Sequence, residues 1–288
     1  MTGHVPTPLI GIDGGGSSCR VAVLVGDVRH EVLHGPANVS TDFEGAMTTV
    51  RIALAEAGAA AGLSMQALSL GTAYVGLAGV MSPAIARRVA VLLPMRRIAV
   101  TDDRPTTIAG ALGESDGAVA AIGTGSFVGR QVDGRIAGVG GWGFHIGDQA
   151  SGAWLVRRAL EDLMLAVDGL APMTALGRTL LAEYDGDTAA IVEFSLRAKP
   201  AEFSQLAVEL VAAAETGDPL AARLMREGAD YVRRALERLG WEPSEPLCLT
   251  GGLGPAYARW LRLDTVPPCG SALDGALTLA RRLERQQA

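Results

Sequence analysis

Two short glycine-rich stretches contain residue types that suit the binding of an anion. The first consists of Gly14, Gly15, Gly16, Ser17 and Ser18, and the second of Gly123, Thr124, Gly125 and Ser126. A turn without Cβ atoms lets a bulky anion reach several backbone N–H donors at once, and hydroxyl groups add further donors. One glycine pair suffices for an ordinary hairpin, so the first stretch alone fits a tight turn equally well. The second stretch lies at the corresponding position in the second half of the chain, and the two stretches together favour a clamp for a polyphosphate.

The lysine content narrows how such a polyphosphate could be held. Lys199 is the only lysine, so arginines make up the other 24 of the 25 basic residues. A Walker A loop requires a lysine in the pattern GxxxxGK[ST], and this chain therefore has none. Backbone N–H groups, hydroxyls, arginines or a metal ion must hold the phosphates instead.

Carboxylates stand beside the first glycine turn and at the end of a predicted strand. Asp13 precedes the turn, where a carboxylate would hold a hydrated Mg²⁺ near the phosphates. Asp102 and Asp103 end the apolar run 97–101. Aspartate is a common helix cap, but one member of a pair can cap while the other accepts the proton of an attacking hydroxyl. That second role is general-base catalysis of phosphoryl transfer.

Glycine, aromatic and polar residues mark further candidate positions. Gly251 and Gly252 follow an apolar run and would let a flat base lie against the backbone, although a plain strand-to-helix turn also explains them. Trp142 fits either a core residue or a platform for a sugar face, with Asp148 bonding the ring hydroxyls. Asn38 is a similar polar candidate, for which turn chemistry alone is a sufficient explanation.

One apparent metal motif is rejected on geometry. The segment from His30 to His34 matches the HExxH pattern of zinc proteases, which requires a helix. Turn residues on both sides predict a strand here, and a strand would separate the two histidines by about 13 Å at ~3.3 Å per residue. Zinc needs both nitrogens at about 2 Å, so we interpret these histidines as surface residues of a sheet.

Composition limits the classes of partner. The 288 residues are 49% apolar, and 25 basic against 31 acidic residues give a net charge of −6. No basic run is present, which argues against nucleic acid or an anionic membrane as a partner. Three widely spaced cysteines without a CxxC pattern, and a start without a signal peptide, indicate a reduced cytoplasmic chain. The uncharged run 69–86 contains three glycines and a proline, so no membrane span is predicted.

The predicted elements follow the same order in both halves of the chain. Each half reads strand, glycine turn, two strands, and then alternating helices and strands, which indicates a duplicated α/β architecture. We predict domains at 1–112 and 113–288, with a helical insertion at about 150–240 and a C-terminal helix, about 271–288, free to pack back on the first domain. Ligands in such folds bind at the carboxyl ends of strands, where the glycine turns and Asp103 fall.

Local signals predict individual boundaries. Asp133 and Gly134 form a dipeptide typical of two-residue hairpin turns. Thr41 with Glu44 three residues later predicts a capping box at a helix start. The apolar pattern at 262–266 predicts a strand late in the chain.

Five motifs in order resemble the N-acetylglucosamine kinase and BadF/BadG/BcrA/BcrD ATPase family, within the actin, Hsp70 and sugar-kinase superfamily. They are GIDGGGSS, VTDD, IGTGSF, GGWGFHIGDQASGAW and LTGGLG, and together they cover nearly the whole chain. The resemblance implies two ribonuclease-H-like (actin-like ATPase) domains with a cleft between them. It further implies ATP and Mg²⁺ as cofactors and a homodimer.

The resemblance also implies roles for single residues. The two glycine turns would hold Mg-ATP, Gly251 and Gly252 would lie at the adenosine, and Asp103 matches the catalytic base. Four residues match positions that face the sugar, namely Asn38, Gly79, Trp142 and Asp148. The family's Gly-Asp-Glu-Gly-Ser has Gln149 and Ala150 in its third and fourth positions here. This departure bears on which sugar is bound more than on phosphoryl transfer.

We therefore predict an ATP-dependent kinase for a primary hydroxyl of an amino sugar, with N-acetylglucosamine to its 6-phosphate as first choice and glucosamine as second. A different class is an ATPase that drives a partner protein, as in BadF-type activators that carry an iron–sulfur cluster on paired cysteines. The cysteines Cys19, Cys248 and Cys269 show no such pairing. A sugar-binding regulator without turnover is a third class, and the lack of a helix-turn-helix segment weighs against it.

Overall fold

The computed structural model describes residues 7–286, which form two compact α/β units. The first unit contains the described residues up to Ser115 together with those from Pro268 onward, and the second is Asp116–Pro267. None of the helices within residues 7–286 is long and apolar enough to cross a membrane.

The first unit is built on a five-stranded sheet. Its strands are β1 (Leu9–Gly14), β2 (Cys19–Val25), β3 (Val28–His34), β4 (Thr72–Leu77) and β5 (Arg97–Thr101). The strand order is β3-β2-β1-β4-β5, with β2 antiparallel to its neighbours and β4 and β5 parallel to β1. The carboxyl ends of β1, β4 and β5 therefore lie at one edge, and they position Asp13, Gly79 and Asp103 there. The strand predicted for the segment with His30 and His34 is confirmed by β3.

Within residues 7–286, five helices belong to this unit. They are α1 (Phe43–Ala60), α2 (Met65–Ser69), α3 (Pro83–Val91), α4 (Arg104–Leu112) and the C-terminal α12 (Ala272–Gln286). The predicted capping box at Thr41 is wrong, because Asp42 occupies the cap position and its side chain accepts the amide of Gly45. Helix α12 packs closely on α4: a Cβ at Gly275 would lie 1.9 Å from the carbonyl oxygen of Thr106. This contact ties the end of the chain to the first unit.

The second unit repeats the core of the first sheet. Its strands are β6 (Gly117–Ile122), β7 (Ser126–Val132), β8 (Arg135–Gly140) and β9 (Leu247–Thr250), in the order β8-β7-β6-β9. This order matches β3-β2-β1-β4 of the first sheet. Strand β7 pairs antiparallel with both β6 and β8, and β9 pairs parallel with β6. The predicted hairpin turn is confirmed, since Asp133 and Gly134 join β7 to β8 with φ of 50° and 72°.

The strand predicted at 262–266 is wrong. Val266 forms a single bridge to Cys248, and its amide donates to the carbonyl oxygen of Leu247 at 2.9 Å. Pro267 and Pro268 follow at once and lack the N–H groups that would continue the pairing. The second sheet therefore has no full counterpart of β5 within the described residues.

Helices fill the rest of the second unit. Six lie between β8 and β9, in the region of the predicted insertion: α5 (Gly152–Val167), α6 (Ala175–Ala182), α7 (Thr188–Arg197), α8 (Pro200–Gln205), α9 (Ala207–Glu215) and α10 (Pro219–Arg238). Helix α11 (Gly254–Leu261) follows β9. Their buried faces form one core with the sheet, which includes Leu155, Phe203, Leu224 and Tyr257.

Candidate active site

The first unit holds two half-buried carboxylates, and the charge of one raises the pKa of the other. Asp13 lies at the end of β1 and Asp103 directly after β5. Burial and the negative charge of Asp103 raise the pKa of Asp13 to about 6, against the opposing charge of Arg20. Burial also raises the pKa of Asp103, helped by the charge of Asp102. A pair of this kind is suited to a cation or to accepting a proton.

The neighbouring residues Asp102 and Asp103, which follow β5, differ in the hydrogen bonds that their carboxylates make. The Asp102 carboxylate accepts three bonds from Arg104, at 3.0 Å from the backbone amide, 3.0 Å from Nε and 2.6 Å from Nη2. Asp103 occupies the cap position of α4, yet among the described residues its side chain makes no capping hydrogen bond. Its backbone carbonyl instead accepts the hydroxyls of Thr106 and Thr107, both at 2.9 Å. Asp102 is thus committed to structure, while the Asp103 carboxylate remains available.

The first glycine turn keeps part of its backbone free. The amide of Gly15 donates to the carbonyl oxygen of Ser18 at 2.8 Å and closes the turn, so it is already used. A Cβ at Gly14 would lie 2.5 Å from Leu77, which makes glycine necessary for packing there. A Cβ at Gly16 would meet no described atom within 4 Å, and no described residue bonds the amides of Gly16 and Ser17. These two amides are the donors that an anion could reach.

The second glycine turn is held by its surroundings. The amide of Gly152, at the start of α5, donates to the carbonyl oxygen of Gly123 at 2.8 Å. The Ser126 hydroxyl donates to the carbonyl oxygen of Gln149 at 2.5 Å, so this predicted ligand braces the turn in the present structure. Thr124 is exposed at the tip. The turn is therefore rigid at its base and open at Thr124.

Gly251 and Gly252 form a third turn, which lies against the second glycine turn. Gly251 has φ of +81°, and a Cβ there would lie 2.4 Å from the carbonyl oxygen of Ile122. The amide of Leu253 donates to the same oxygen at 2.9 Å. A Cβ at Gly252 would meet no described atom within 4 Å. Gly251 thus allows the backbone of this turn to approach Ile122 closely. Gly252 has open space around it, which a flat ring could fill.

Asp148 lies beneath the second glycine turn. It is 9% exposed, has φ of 55°, and accepts the amide of Gly143 at 3.1 Å and that of Ser126. Burial raises the pKa of Asp148, and these two amide bonds oppose the rise. A Cβ at Gly125 would lie 2.8 Å from its Oδ2. The carboxylate is therefore bound by backbone on the side that faces the turn.

The other predicted sugar contacts fall in two groups. Trp142 is 63% exposed, so the alternative of a core tryptophan is wrong. In the first unit, Asn38 and Gly79 come together: a Cβ at Gly79 would lie 2.6 Å from Oδ1 of Asn38. That oxygen already accepts the amide and the hydroxyl of Ser40, at 2.9 and 2.7 Å, which leaves the Asn38 amide nitrogen for a ligand.

Sequence reasoning missed a residue that touches the second turn. Ser204 of α8 has its hydroxyl oxygen 3.1 Å from that of Thr124. The two residues are 80 positions apart, and Ser204 stands in a polar stretch without any motif. No local pattern could have indicated this contact. Within the described part of the chain, no three metal-ligating side chains of the His, Cys, Asp or Glu types cluster.

Two sheets of matching strand order, each with a glycine turn after its first strand, define a duplicated ATPase-type α/β protein. The sequence profile of the BadF/BadG/BcrA/BcrD ATPase family matches residues 10–262, and the chain belongs to this family. It is 32% identical to the glucosamine kinase GspK of Vibrio cholerae over 96% of both chains. It is also 32% identical to an N-acetylmuramic acid/N-acetylglucosamine kinase of Clostridium acetobutylicum, over 60% of this chain and 58% of that protein.

Solved structures agree with this fold. A crystal structure from Chromobacterium violaceum, provisionally named an N-acetylglucosamine kinase, is 33% identical with a TM-score of 0.82, covering 96% of this chain and 99% of that one. A ROK family glucokinase from Streptomyces griseus, in complex with glucose and AMPPNP, is 18% identical with a TM-score of 0.53 over 96% and 99% of the two chains. The second likeness concerns the fold, and it supports duplicated ribonuclease-H-like domains.

Proposed function

We propose that the protein is an ATP-dependent kinase that phosphorylates the primary hydroxyl of an amino sugar. The observation that carries this proposal is the state of Asp103, whose half-buried carboxylate has a raised pKa and makes no capping hydrogen bond, while the neighbouring Asp102 binds Arg104. Similarity to glucosamine and N-acetylglucosamine kinases supports the substrate class.

In this mechanism Asp103 is the general base. One of its oxygens accepts the proton of the sugar's primary hydroxyl while that hydroxyl oxygen bonds to the terminal phosphorus of ATP and ADP leaves. A raised pKa brings the carboxyl closer to the pH at which it must take up that proton. Asp102 binds Arg104, so the Asp103 carboxylate is not needed for that contact.

The phosphates require donors and charge neutralisation. We assign the free amides of Gly16 and Ser17, and the turn that carries Thr124, as donors to the phosphate oxygens. Asp13 fits a Mg²⁺ site, because its half-buried carboxylate lies near the negative charge of Asp103. The ion, when bound, would neutralise phosphate charge. Asp13 would hold it through water, with the remaining ligands supplied by ATP and solvent.

The sugar contacts are assigned to Asn38, Gly79, Trp142 and Asp148. Asp148 is the only acidic residue between 140 and 152, and backbone amides already bind its carboxylate. A glucosamine ammonium would need an unpaired carboxylate, whereas the acetamide of N-acetylglucosamine is neutral. N-acetylglucosamine is therefore the first choice. Glucosamine is the second, supported by the Vibrio cholerae relative.

A coupled assay of ADP release over a panel of hexoses and amino sugars tests the proposal. We expect ADP release that depends on an amino sugar and yields its 6-phosphate, identified by ³¹P NMR. ADP release indifferent to every sugar would instead indicate an ATPase that serves a partner protein. The cytoplasmic location and the homodimer stay predictions, the latter to be measured by light scattering.

A further inference from the structure

The contact between Thr124 and Ser204 joins a predicted phosphate turn to the helical region of the same unit. Thr124 is exposed at the tip of the second glycine turn, and Ser204 lies half-buried on α8. Their hydroxyl oxygens are 3.1 Å apart, which is hydrogen-bond distance.

The direction of this hydrogen bond follows from a second contact. The Ser204 hydroxyl donates to the carbonyl oxygen of Ala201 at 3.0 Å. A hydroxyl has one hydrogen, so Ser204 can only accept at its contact with Thr124. Thr124 is therefore the donor, and its oxygen presents lone pairs to the outside. In this arrangement it cannot donate to a ligand.

A phosphate would require the opposite arrangement. Phosphate oxygens at neutral pH act as acceptors, so the Thr124 hydrogen must turn toward them. Ser126 cannot substitute for Thr124, because its hydroxyl is bonded to Gln149. Once Thr124 has turned, Ser204 must donate to it, since two facing lone pairs at this distance would repel each other. Ala201 is exposed, so water can take over its carbonyl oxygen.

The backbone around Ser204 is held in place, so that only its hydroxyl turns. The preceding Phe203 is 1% exposed, and its ring lies 4.8 Å from both the Phe144 and the Phe194 rings. Ser204 also faces the start of α5, where a Cβ at Gly152 would lie 3.1 Å from the Ser204 Cβ. These contacts fix the oxygen within reach of Thr124.

We propose that Ser204 is a positioning residue for the phosphate chain of a nucleoside di- or triphosphate. It accepts the Thr124 hydrogen bond when the turn is empty and donates to Thr124 when a phosphate is bound. This inference rests on the proposed function, because it needs a nucleotide at the second glycine turn.

Isothermal titration calorimetry with ADP and with adenosine tests the relay. We expect Ser204→Ala to weaken ADP binding about three- to tenfold, the range for one lost hydrogen bond, and to leave adenosine binding unchanged. Thr124→Val should weaken ADP binding at least as much, Thr124→Ser should keep wild-type affinity, and the double variant Ser204→Ala with Thr124→Val should lose no more than Thr124→Val alone. Ser195→Ala is the matched control, because the Ser195 hydroxyl on α7 also donates to a carbonyl oxygen three residues back, at 2.7 Å. This variant should bind ADP with wild-type affinity.

Distinct results separate this inference from the proposed function. If wild-type protein binds ADP but Ser204→Ala binds it equally well, the relay is absent and the kinase proposal stands. If the losses multiply in the double variant, or adenosine is weakened as much as ADP, Ser204 supports the structure and does not serve the phosphates. If wild-type protein binds neither ADP nor adenosine, both proposals fall.

Discussion

The two glycine turns occupy matching positions on matching sheets, yet their surroundings differ in charge. The unit of the first turn holds Asp13 and Asp103, whose pKa values burial raises, and the charge of Asp103 adds to the rise at Asp13. The second turn has its carboxylate, Asp148, bound by backbone amides. The roles that we propose for the two units differ accordingly, with acid–base chemistry in the first and anion binding in the second. The difference lies in which polar groups are left without protein partners.

Substitution of the proposed general base, Asp103, should have the largest effect on activity. We expect Asp103→Asn to lower kcat by about 10²- to 10⁴-fold, because an amide cannot accept the hydroxyl proton. The KM for ATP should change little. Asp102→Asn is the control: it weakens the bonds to Arg104, so it should cost about 1–2 kcal/mol of stability and leave kcat within about tenfold. Steady-state kinetics and urea unfolding check the pair, and equal kcat values in the two variants would refute the division of roles.

Neutralising Asp13 should separate activity from stability. The folded chain, with the pKa of Asp13 at about 6, binds this proton more tightly than the unfolded chain, so stability falls as the pH rises from about 4 to about 6. A shift of about two units corresponds to at most about 3 kcal/mol. Asp13→Asn should therefore stabilise the metal-free protein above pH 6, give no gain below pH 4, and abolish most kinase activity.

Asp274 provides a control of opposite sign. Although burial acts against them, hydrogen bonds from Ser271 and Arg29 lower the pKa of Asp274. Its contribution to stability is present above the unfolded pKa, and Asp274→Asn should lose stability at pH 7. Urea unfolding with EDTA at several pH values measures both variants. A loss of stability in Asp13→Asn at pH 8 would contradict the account of the first turn.

The third turn offers a smaller test of the second unit. Gly251→Ala places a Cβ 2.4 Å from a carbonyl oxygen at a positive φ, and should cost about 2–3 kcal/mol. Gly252→Ala fills open space, so stability should stay within about 0.5 kcal/mol while ADP binding weakens. Thermal unfolding and titration calorimetry decide between them. Equal destabilisation would remove the distinction between a packing glycine and a ligand-facing one.

The smallest effect is expected at Ala150. It is buried with φ of +74°, a conformation that costs a non-glycine residue about 1–2 kcal/mol. Ala150→Gly relieves that strain and loses about 0.4–1 kcal/mol to unfolded-chain entropy, so a net gain of about 0.5–1 kcal/mol is expected. Ala159→Gly, in the interior of α5, should instead lose about 1 kcal/mol or more. Thermal midpoints measure both, and a destabilised Ala150→Gly would show that no strain is stored there.

Local chemistry explains what could be predicted from the sequence. Apolar runs between glycine turns predict β1, β6 and their neighbours, and Asp133-Gly134 predicts the hairpin between β7 and β8, because these signals act within a few residues. The end of the β9 region could not be judged locally, since an apolar pattern at 262–266 does not show whether a partner strand edge is available. The prolines that follow decided against a strand there.

Side-chain placement and contacts distant in sequence explain what could not be predicted. The choice between Asp102 and Asp103 depends on where the Arg104 side chain folds, and the exposure of Trp142 depends on the path of a glycine-rich loop. Ser204 meets Thr124 only because Phe203 packs into the core of the helical region. The sequence pattern therefore indicated the candidate residues of the site, while packing determined which of them keep polar groups available to a ligand.

A crystal structure of the wild-type protein with a non-hydrolysable ATP analogue, Mg²⁺ and N-acetylglucosamine tests the central claim most directly. The account predicts a carboxylate oxygen of Asp103 within about 3 Å of the sugar's primary hydroxyl oxygen. A sugar whose primary hydroxyl lies out of reach of Asp103, or an Asp103 side chain turned into the protein interior, would contradict it.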